Sequence, residues 1–256
     1  MRGTSRAMRW LVGLAFPLVL VAAWQVAADA RVLSPVFFPA PSRALGVLIE
    51  RIGDGSIWPP ILATLWRMLV GWLLAGLAGV ALGAAIGSSP AARAYLGPTL
   101  EFFRPLPASA IIPVAILFLG LTDKMSLAVI AFGAVWPVLL GSVYGFSTIK
   151  PRLGEVSAVL EMSRVEYFQH IALPSALPDI ISGARISLAI ALILSVVVEM
   201  QASLPGLGQN IMQAQRSFRS ADLYAGLVVL GAVGFGVSAG LRVLESRLLR
   251  WRNVRR

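Results

Sequence analysis

Residues able to make or break bonds are scarce in this chain. It has no cysteine, so there is no disulfide, thiolate metal site or thiol nucleophile. The single histidine, His170, cannot form a histidine cluster alone and lies in a polar loop. The lysines are Lys124 and Lys150, and neither follows glycine. A P-loop needs Gly-Lys before Ser or Thr to cradle phosphates, so the chain carries no such ATP site. What remains is charge in apolar surroundings. Glu199 stands 16 residues beyond Gly183 in an apolar run, roughly 24 Å along a helix. Carboxylates inside membranes face a pathway or pair with a cation. Glu199, with Met200 beside it, is therefore a candidate for a gate or a solute contact. Arg185, at the inner end of the same run, and Arg104, at the mouth of another, are further pathway candidates. The chemistry they offer is the handling of charge.

A second constellation runs from Glu155 to Pro174, EVSAVLEMSRVEYFQHIALP. Apolar Val156, Val159, Leu160, Val165, Phe168 and Ile171 alternate with Glu155, Glu161, Arg164, Glu166 and His170. Pro151 suits the first turn of a helix. Ser163 followed by Glu166 has capping-box spacing. These residues predict two short helical pieces that change direction near Met162-Ser163-Arg164. Leu173-Pro174 is expected to end the second piece, since proline pushes its predecessor out of helical geometry. Pro174 and Pro178 then form a rigid join that passes movement to the next apolar segment. An amphipathic helix lying on lipid expects a broad basic face. This loop mixes both signs, which favours docking onto another protein.

The surrounding elements are built for a bilayer. The chain has 256 residues, 57% hydrophobic and 13% charged, against about 25% charged in soluble domains. Its net charge of +10 forms no basic stripe or aromatic platform, which argues against a nucleic-acid partner. Spanning the hydrocarbon core takes roughly 20 apolar residues per helix. The expected spans are 11–28, 61–87, 106–121, 125–146, 180–202 and 223–244, joined by a loop at 147–179. Pro105, Pro107 and Pro113 predict a bent or late-starting third helix, with Arg104 at its mouth. The expectation is thus an all-α membrane protein of about six helices, a single domain over 11–250 with tails at 1–10 and 251–256. The first span follows Arg2, Arg6 and Arg9 and precedes Ala28-Asp29-Ala30, as in a signal peptide. Its length of about 18 residues exceeds the usual apolar region of such peptides, so an uncleaved span is expected.

Six spans place both termini on one side. Arg93, Lys150, Arg152, Arg164 and the terminal arginines bring twelve basic residues there, against six in the opposite loops. The positive-inside rule then makes the termini and the 147–179 loop cytoplasmic. On the outside, Asp29–Pro60 is expected to hold a short helix over 41–51. The polar stretch 204–222 is either a connector or the lining of a vestibule or partner site. Gly79, Gly83 and Gly87, and also Gly236 and Gly240, recur at a spacing that lets helix backbones approach. Packing within the chain is the expected use of both sets.

The 155–174 loop resembles the EAA motif of permease subunits of bacterial ABC importers. That pattern is Glu-Ala-Ala, a glycine four residues after the second alanine, then Ile-x-Leu-Pro. Glu155 takes the acidic position, and Ile171, Leu173 and Pro174 match the close. Val156 and Ser157 replace the alanines, and Glu161 stands in place of the glycine. Phe103-Arg104-Pro105-Leu106-Pro107, Ile112-Pro113, Leu173-Pro174-Ser175-Ala176-Leu177-Pro178, Glu199-Met200 and Gly206-Leu207-Gly208 are similar to the nitrate, sulfonate and taurine branch. Cargoes in that branch also include pyrimidine precursors and aromatic acids.

The resemblance implies a type I importer permease fold with a cytoplasmic coupling helix in the bacterial inner membrane. It implies a transport subunit that is not itself an enzyme, paired with a second copy of itself. Two separate ATP-binding subunits would hold ATP and Mg, this chain holding no cofactor. A periplasmic or lipid-anchored substrate-binding protein would deliver the cargo. The ATPase-coupling residues would be Glu155, Ser157, Glu161, Arg164, Tyr167, Phe168 and Pro174, with Phe168 the apolar anchor in an ATPase groove. An anionic cargo would make direct contact with Glu199 unfavourable, which favours the gate role. An ion-coupled secondary transporter is the alternative of a different class. It calls for an internal repeat or paired broken helices with ionisable groups at the midplane, and neither is evident.

Overall fold

The computed structural model describes residues 6–249, with side chains from residue 15 onward. Most of the tails expected at 1–10 and 251–256 therefore lies outside the described residues, as do Arg2 and the side chains at the start of the first span. The described residues form helices and no strand: α1 Arg6–Asp29, α2 Pro41–Gly53, α3 Trp58–Gly87, α4 Pro90–Phe103, α5 Ala108–Leu119, α6 Asp123–Ser147, α7 Pro151–Val159, α8 Arg164–Tyr167, α9 Leu173–Ala202, α10 Leu207–Arg216 and α11 Ser220–Leu248. A π-helical turn, Phe168–Ala172, joins α8 to α9.

Four helical runs are long and apolar enough to cross a membrane: α3, α6, α11 and the continuous stretch Arg164–Ala202. The sequence segments 61–87, 125–146, 180–202 and 223–244 lie within them. A fifth crossing is counted when α4 and α5 are taken as one element bent by 87°. The expected segment 106–121 begins in that bend. α5 alone has 12 residues, roughly 18 Å, and cannot cross a core of about 30 Å. Pro105 and Pro107 sit in the break, where a missing N–H costs the helix nothing. The described side chains of the first expected segment belong to Ala15–Asp29, a shorter apolar helix.

The chain divides into two compact units, Met1–Pro60 with Asn210–Gly231, and Ile61–Gln209 with Ala232–Arg256. In the first, α2 covers the helix expected over 41–51. Its N-cap, Ala40, has no polar side chain to offer. Gln25 supplies one instead: its Oε1 accepts from Ser42 N at 3.0 Å and its Nε2 donates to Ser42 Oγ at 3.1 Å. Arg51 is ion-paired with Asp222, and Trp24 lies 5.1 Å from Tyr224, ring to ring. The backbone N–H of Ser56 holds the Asp54 carboxyl below its ordinary range.

The second unit is organised around α6 and α9. Gly141 and Gly145 of α6 face the α9 backbone at Asp179 and Ala176, and Gly183 of α9 faces the carbonyl of Pro137. Any Cβ at these positions would collide with backbone, so glycine sets the interaxial distance. Met68, Ala75, Ile130, Ala134, Leu188, Ala191 and Leu194 form a fully packed centre between α3, α6 and α9. Trp72 Nε1 ties α3 to Ala184 O at 3.0 Å, and Ser187 Oγ ties α9 to Ala134 O at 2.6 Å. These bonds satisfy polar groups that lipid cannot.

The two glycine series behave differently. Gly79, Gly83 and Gly87 lie against Val138, Ser142 and Phe146 of α6, making an intramolecular seam. Among the described residues, Gly236 and Gly240 meet nothing within 4 Å, so the expectation of an internal seam there is corrected for those residues. Matching small spacing is not enough without a second helix packed against it. Gly83→Leu should lower the thermal midpoint of the detergent-purified protein by an amount corresponding to about 1–3 kcal/mol of overpacking. Gly240→Leu should leave that midpoint within about 0.5 kcal/mol. Equal losses for the two variants would contradict the assignment of the seam.

Candidate functional site: coupling loop, polar cluster and inner cavity

The loop after α6 folds into the two expected pieces, and one turn decides their angle. α7 ends at Val159, and the chain reverses through Leu160–Met162. Glu161 occupies the left-handed region with φ +49°. This is the position at which the EAA pattern carries glycine, and the reason is now geometric. A residue with a Cβ pays about 1–2 kcal/mol for that conformation. Ser163 then begins α8 with a complete capping box: its N–H donates to Glu166 Oε2 at 2.8 Å, and its Oγ accepts from Glu166 N at 3.3 Å.

The expected end at Leu173-Pro174 is corrected: Leu173 is helical, and Arg164–Ala202 is one continuous helical run of 39 residues. The π turn explains the continuity. Leu173 N–H bonds Phe168 O five residues back, so Pro174 enters as a first-turn residue of α9, where its missing N–H is harmless. Pro178 lies inside α9. His170 stays on the loop surface, its Nδ1 3.0 Å from Glu166 O.

The coupling candidates divide by exposure. Glu155, Glu161, Arg164 and Phe168 are exposed, while Ser157, Tyr167 and Pro174 are half-buried. Ser157 Oγ donates to Gly154 O at 2.7 Å, closing α7 on itself. Tyr167 packs against a small core of Phe146, Ala172, Ala176 and Ile180. Phe168 stacks on Phe146, with ring centroids 5.8 Å apart and planes 9° from parallel. It therefore binds the loop to α6 of its own chain. The freest apolar side chains are Val159, Leu160 and Val165, at 82%, 65% and 64% exposure.

At the far end of the same unit, the pathway candidate Glu199 is wholly buried. Its Oε1 accepts from Arg67 Nη1 at 3.1 Å, and its Oε2 accepts from Thr64 Oγ1 at 3.0 Å and Gly208 N at 2.9 Å. Arg67 also donates from Nε to Asp123 Oδ1 at 2.7 Å and from Nη1 to Pro205 O at 2.5 Å. Thr64 Oγ1 in turn accepts from Leu207 N at 3.0 Å. The carboxylate thus caps the start of α10, where orphan N–H groups favour negative charge. Gly206 and Gly208 are required because a Cβ on Gly206 would run into the Glu199 carboxyl, and one on Gly208 into the Val196 carbonyl beside Glu199. The cluster joins the starts of α3, α6 and α10 to the end of α9.

Sequence reading found Glu199 and missed Arg67. Yet Arg67 is the only charged residue between Ile61 and Gly87, a signal as strong as the one that singled out Glu199. Met200, adjacent to Glu199, is half-buried and outside the hydrogen-bonded set. Arg185 is ion-paired with Glu245. Arg104 lines a cavity of about 740 Å³ formed by α5, α6 and α9, together with Ser109, Trp136, Tyr144 and Asp179. The structure therefore brings none of Arg104, Arg185 and Glu199 together. Among the described residues, no group of three or more His, Cys, Asp or Glu side chains could hold a metal ion.

Two substitutions test these contacts. Arg67→Met strands a buried carboxylate and should cost about 3–5 kcal/mol, read as a loss of thermal stability in detergent. Adding Glu199→Leu should restore much of the loss, and an additive double variant would refute the pairing. Glu161→Gly relieves the left-handed strain against a more flexible unfolded loop. A net gain of about 0.5–1 kcal/mol is expected. It should appear as two- to fivefold slower hydrogen exchange, roughly, across 155–170, and unchanged exchange would show the turn to be unstrained.

Comparison with known proteins agrees with this architecture. Residues 75–250 match the family described as binding-protein-dependent transport system inner membrane component. A protein of Bacillus subtilis named for aliphatic sulfonates transport is 33% identical over 95% of this chain and 88% of its own length. The taurine transport system permease protein of Escherichia coli K12 is 29% identical over 91% of this chain and 86% of its own. A nitrate import permease protein of Synechocystis is 32% identical over 75% and 70%. In fold, the chain is similar to an amino acid ABC transporter chain, with TM-score 0.60, 14% identity, and coverage of 79% of this chain and 97% of that one. An inward-facing methionine ABC transporter chain gives TM-score 0.59 at 19% identity, covering 76% and 98%. With the family matching most of its length and a long helix running from a capped polar loop to a buried polar cluster, the chain belongs to the binding-protein-dependent inner membrane components and is a permease subunit of an ABC importer.

Proposed function

We propose that this permease moves a small oxyanion-bearing solute, such as a sulfonate, taurine or nitrate, by alternating access driven through the 147–179 loop. The relatives named above support the cargo class. The basic-residue bias supports cytoplasmic termini and a cytoplasmic loop. Two copies of the chain would form one pathway about a twofold axis. Each copy would dock one ATP-binding subunit, which holds ATP and Mg, and a substrate-binding protein would deliver cargo from outside.

One observation carries the mechanism: Arg164–Ala202 is a single helical run, roughly 58 Å long. Its first residues belong to the docking loop and its last turn carries Glu199. A displacement of the loop by an ATPase subunit therefore reaches the Arg67–Glu199 cluster without passing through a flexible joint. Val159, Leu160 and Val165 supply the apolar docking surface, with Glu155, Glu161 and Arg164 as its charged rim. Phe168 and Tyr167 fasten the loop to α6, so both long helices move with it. Glu199, already saturated by Thr64, Arg67 and Gly208, acts as an outer staple and makes no contact with the solute. Opening outward requires that staple to part or to move as a body.

Docking and transmission can be separated by measurement. Val159→Asp with Leu160→Asp should abolish co-purification of the ATPase subunit while leaving the permease in the membrane. Phe168→Ala should retain the ATPase subunit but reduce transport per ATP hydrolysed by about tenfold or more, because it breaks the link to Phe146. Normal transport and normal cargo-stimulated ATPase in Phe168→Ala would eliminate the transmission role. Retained ATPase binding in the double variant would eliminate the docking surface.

A further inference from the structure

The import reading leaves open which oxyanion passes, and the cavity beside α6 bears on that. Its volume of about 740 Å³ is in the range of ligand sites, about 300–1,000 Å³. Its wall is mainly apolar: Leu106, Leu140, Ile186, Ile190 and Leu194 contribute, with Trp136. Among the described residues, two charged residues line it, Arg104 and Asp179, of opposite sign. Among those residues neither takes part in an ion pair, with the other or with a third group. The other ion pairs of this unit, Arg67 with Asp123 and Glu199 and Arg185 with Glu245, are all made at hydrogen-bond distance, so Arg104 and Asp179 stand apart. Asp179 closes the 147–179 loop and Arg104 lies in the break before α5, so both stand at the edges of apolar segments and line the cavity.

The cavity has a polarity along its length. Ala108 and Ser109, in the first turn of α5, lie at one end, where Ala108 approaches Gly133. The N-cap of α5 is Pro107, which provides no side-chain cap, so the positive end of that helix is open to an anion. Arg104, four residues upstream, adds a full positive charge. The other end is level with Gly141, which packs on the Asp179 backbone. Gly133 and Gly141 are eight residues apart on α6, so the two ends are separated by about 12 Å. Between apolar walls the two fields are weakly screened, and both act on a solute anywhere in the corridor. Nitrate or a simple alkanesulfonate satisfies Arg104 and is repelled by Asp179. A solute carrying an ammonium as well as an oxyanion is favoured by both.

We propose, resting on the import reading above, that Arg104 and Asp179 make this cavity selective for a zwitterionic aminoalkyl sulfonate over a purely anionic oxyanion. Arg104 and the start of α5 receive the sulfonate, and Asp179 compensates the ammonium. Recognition by the substrate-binding protein comes first, and the cavity adds a second selection within the membrane.

The test is uptake by the complete transporter, permease, ATPase and binding protein in proteoliposomes, with taurine and ethanesulfonate as probes. The two differ by the ammonium group. With one binding protein throughout, its preference cancels from comparisons among permease variants. Asp179→Asn should lower the taurine-to-ethanesulfonate uptake ratio at least tenfold, and Asp179→Glu should restore it. Arg104→Gln should depress both uptakes. Where ethanesulfonate is not carried at all, Asp179→Asn must still lose taurine uptake and Asp179→Glu regain it, with the assembled complex recovered intact. An unchanged ratio, or equal loss of both probes in Asp179→Asn with assembly intact, overturns the selectivity. Wild-type uptake of ethanesulfonate or nitrate without taurine overturns it too and leaves the import of oxyanions standing. Wild-type uptake of none of the three overturns the cargo reading itself.

Discussion

A guanidinium held away from water must be neutralised where it lies, and Arg67 imposes that demand on everything at its end of the unit. It is 6% exposed on a helix that is otherwise apolar. Asp123, Glu199 and the carbonyl of Pro205 converge on it, which draws α6, α9 and the start of α10 to α3. Burial of such a pair is a weak source of net stability, because desolvation offsets attraction. Its effect is positional: once the charge is buried, its partners have little freedom to be elsewhere. The glycines at 206 and 208 follow from the same demand, since the chain must pass close over Glu199.

From that fixed end, α9 runs back through the packed seam with α6 to the polar 147–179 loop. The seam depends on small residues, Gly141, Gly145 and Gly183, which bring backbones into contact. Close packing of this kind resists sliding by fractions of a turn and transmits displacement as a body. The loop end is held by aromatic stacking and a capping box, while its apolar tips stay free. One end of the lever is thus saturated with internal contacts, and the other is left with contacts to be made. This asymmetry is what a subunit driven from outside its own sequence requires.

Much of the site was legible because it depends on local rules. The capping box at Ser163 and Glu166, the two-piece loop, the break at Pro105 and Pro107, and α2 after Pro41 all follow from residues within a few positions of one another. Where the reading differed, long-range packing decided. Leu173-Pro174 looked like a helix end, and a π turn shifted the hydrogen-bond register so that proline became a first-turn residue. Gly236 and Gly240 carried the right spacing, but among the described residues no side chain or backbone comes within 4 Å of either. Phe168 is exposed and also stacks on Phe146, a contact that no local rule indicates. Arg67 was passed over although its isolation in an apolar run was visible, because its significance depends on Glu199, 132 residues away.

The sequence by itself determined the membrane character, the absence of a P-loop, the position of the polar 147–179 loop and the residue types that make its turns, all of which rest on composition and short-range geometry. Which charges are paired and which face open space was decided only in the tertiary structure. Glu199 and Asp179 are both carboxylates on one helix, yet the first is enclosed by Thr64, Arg67 and Gly208 and the second lines a cavity with Arg104. That distinction comes from helix rotation and from partners more than a hundred residues distant in the first case, and local pattern holds no record of either.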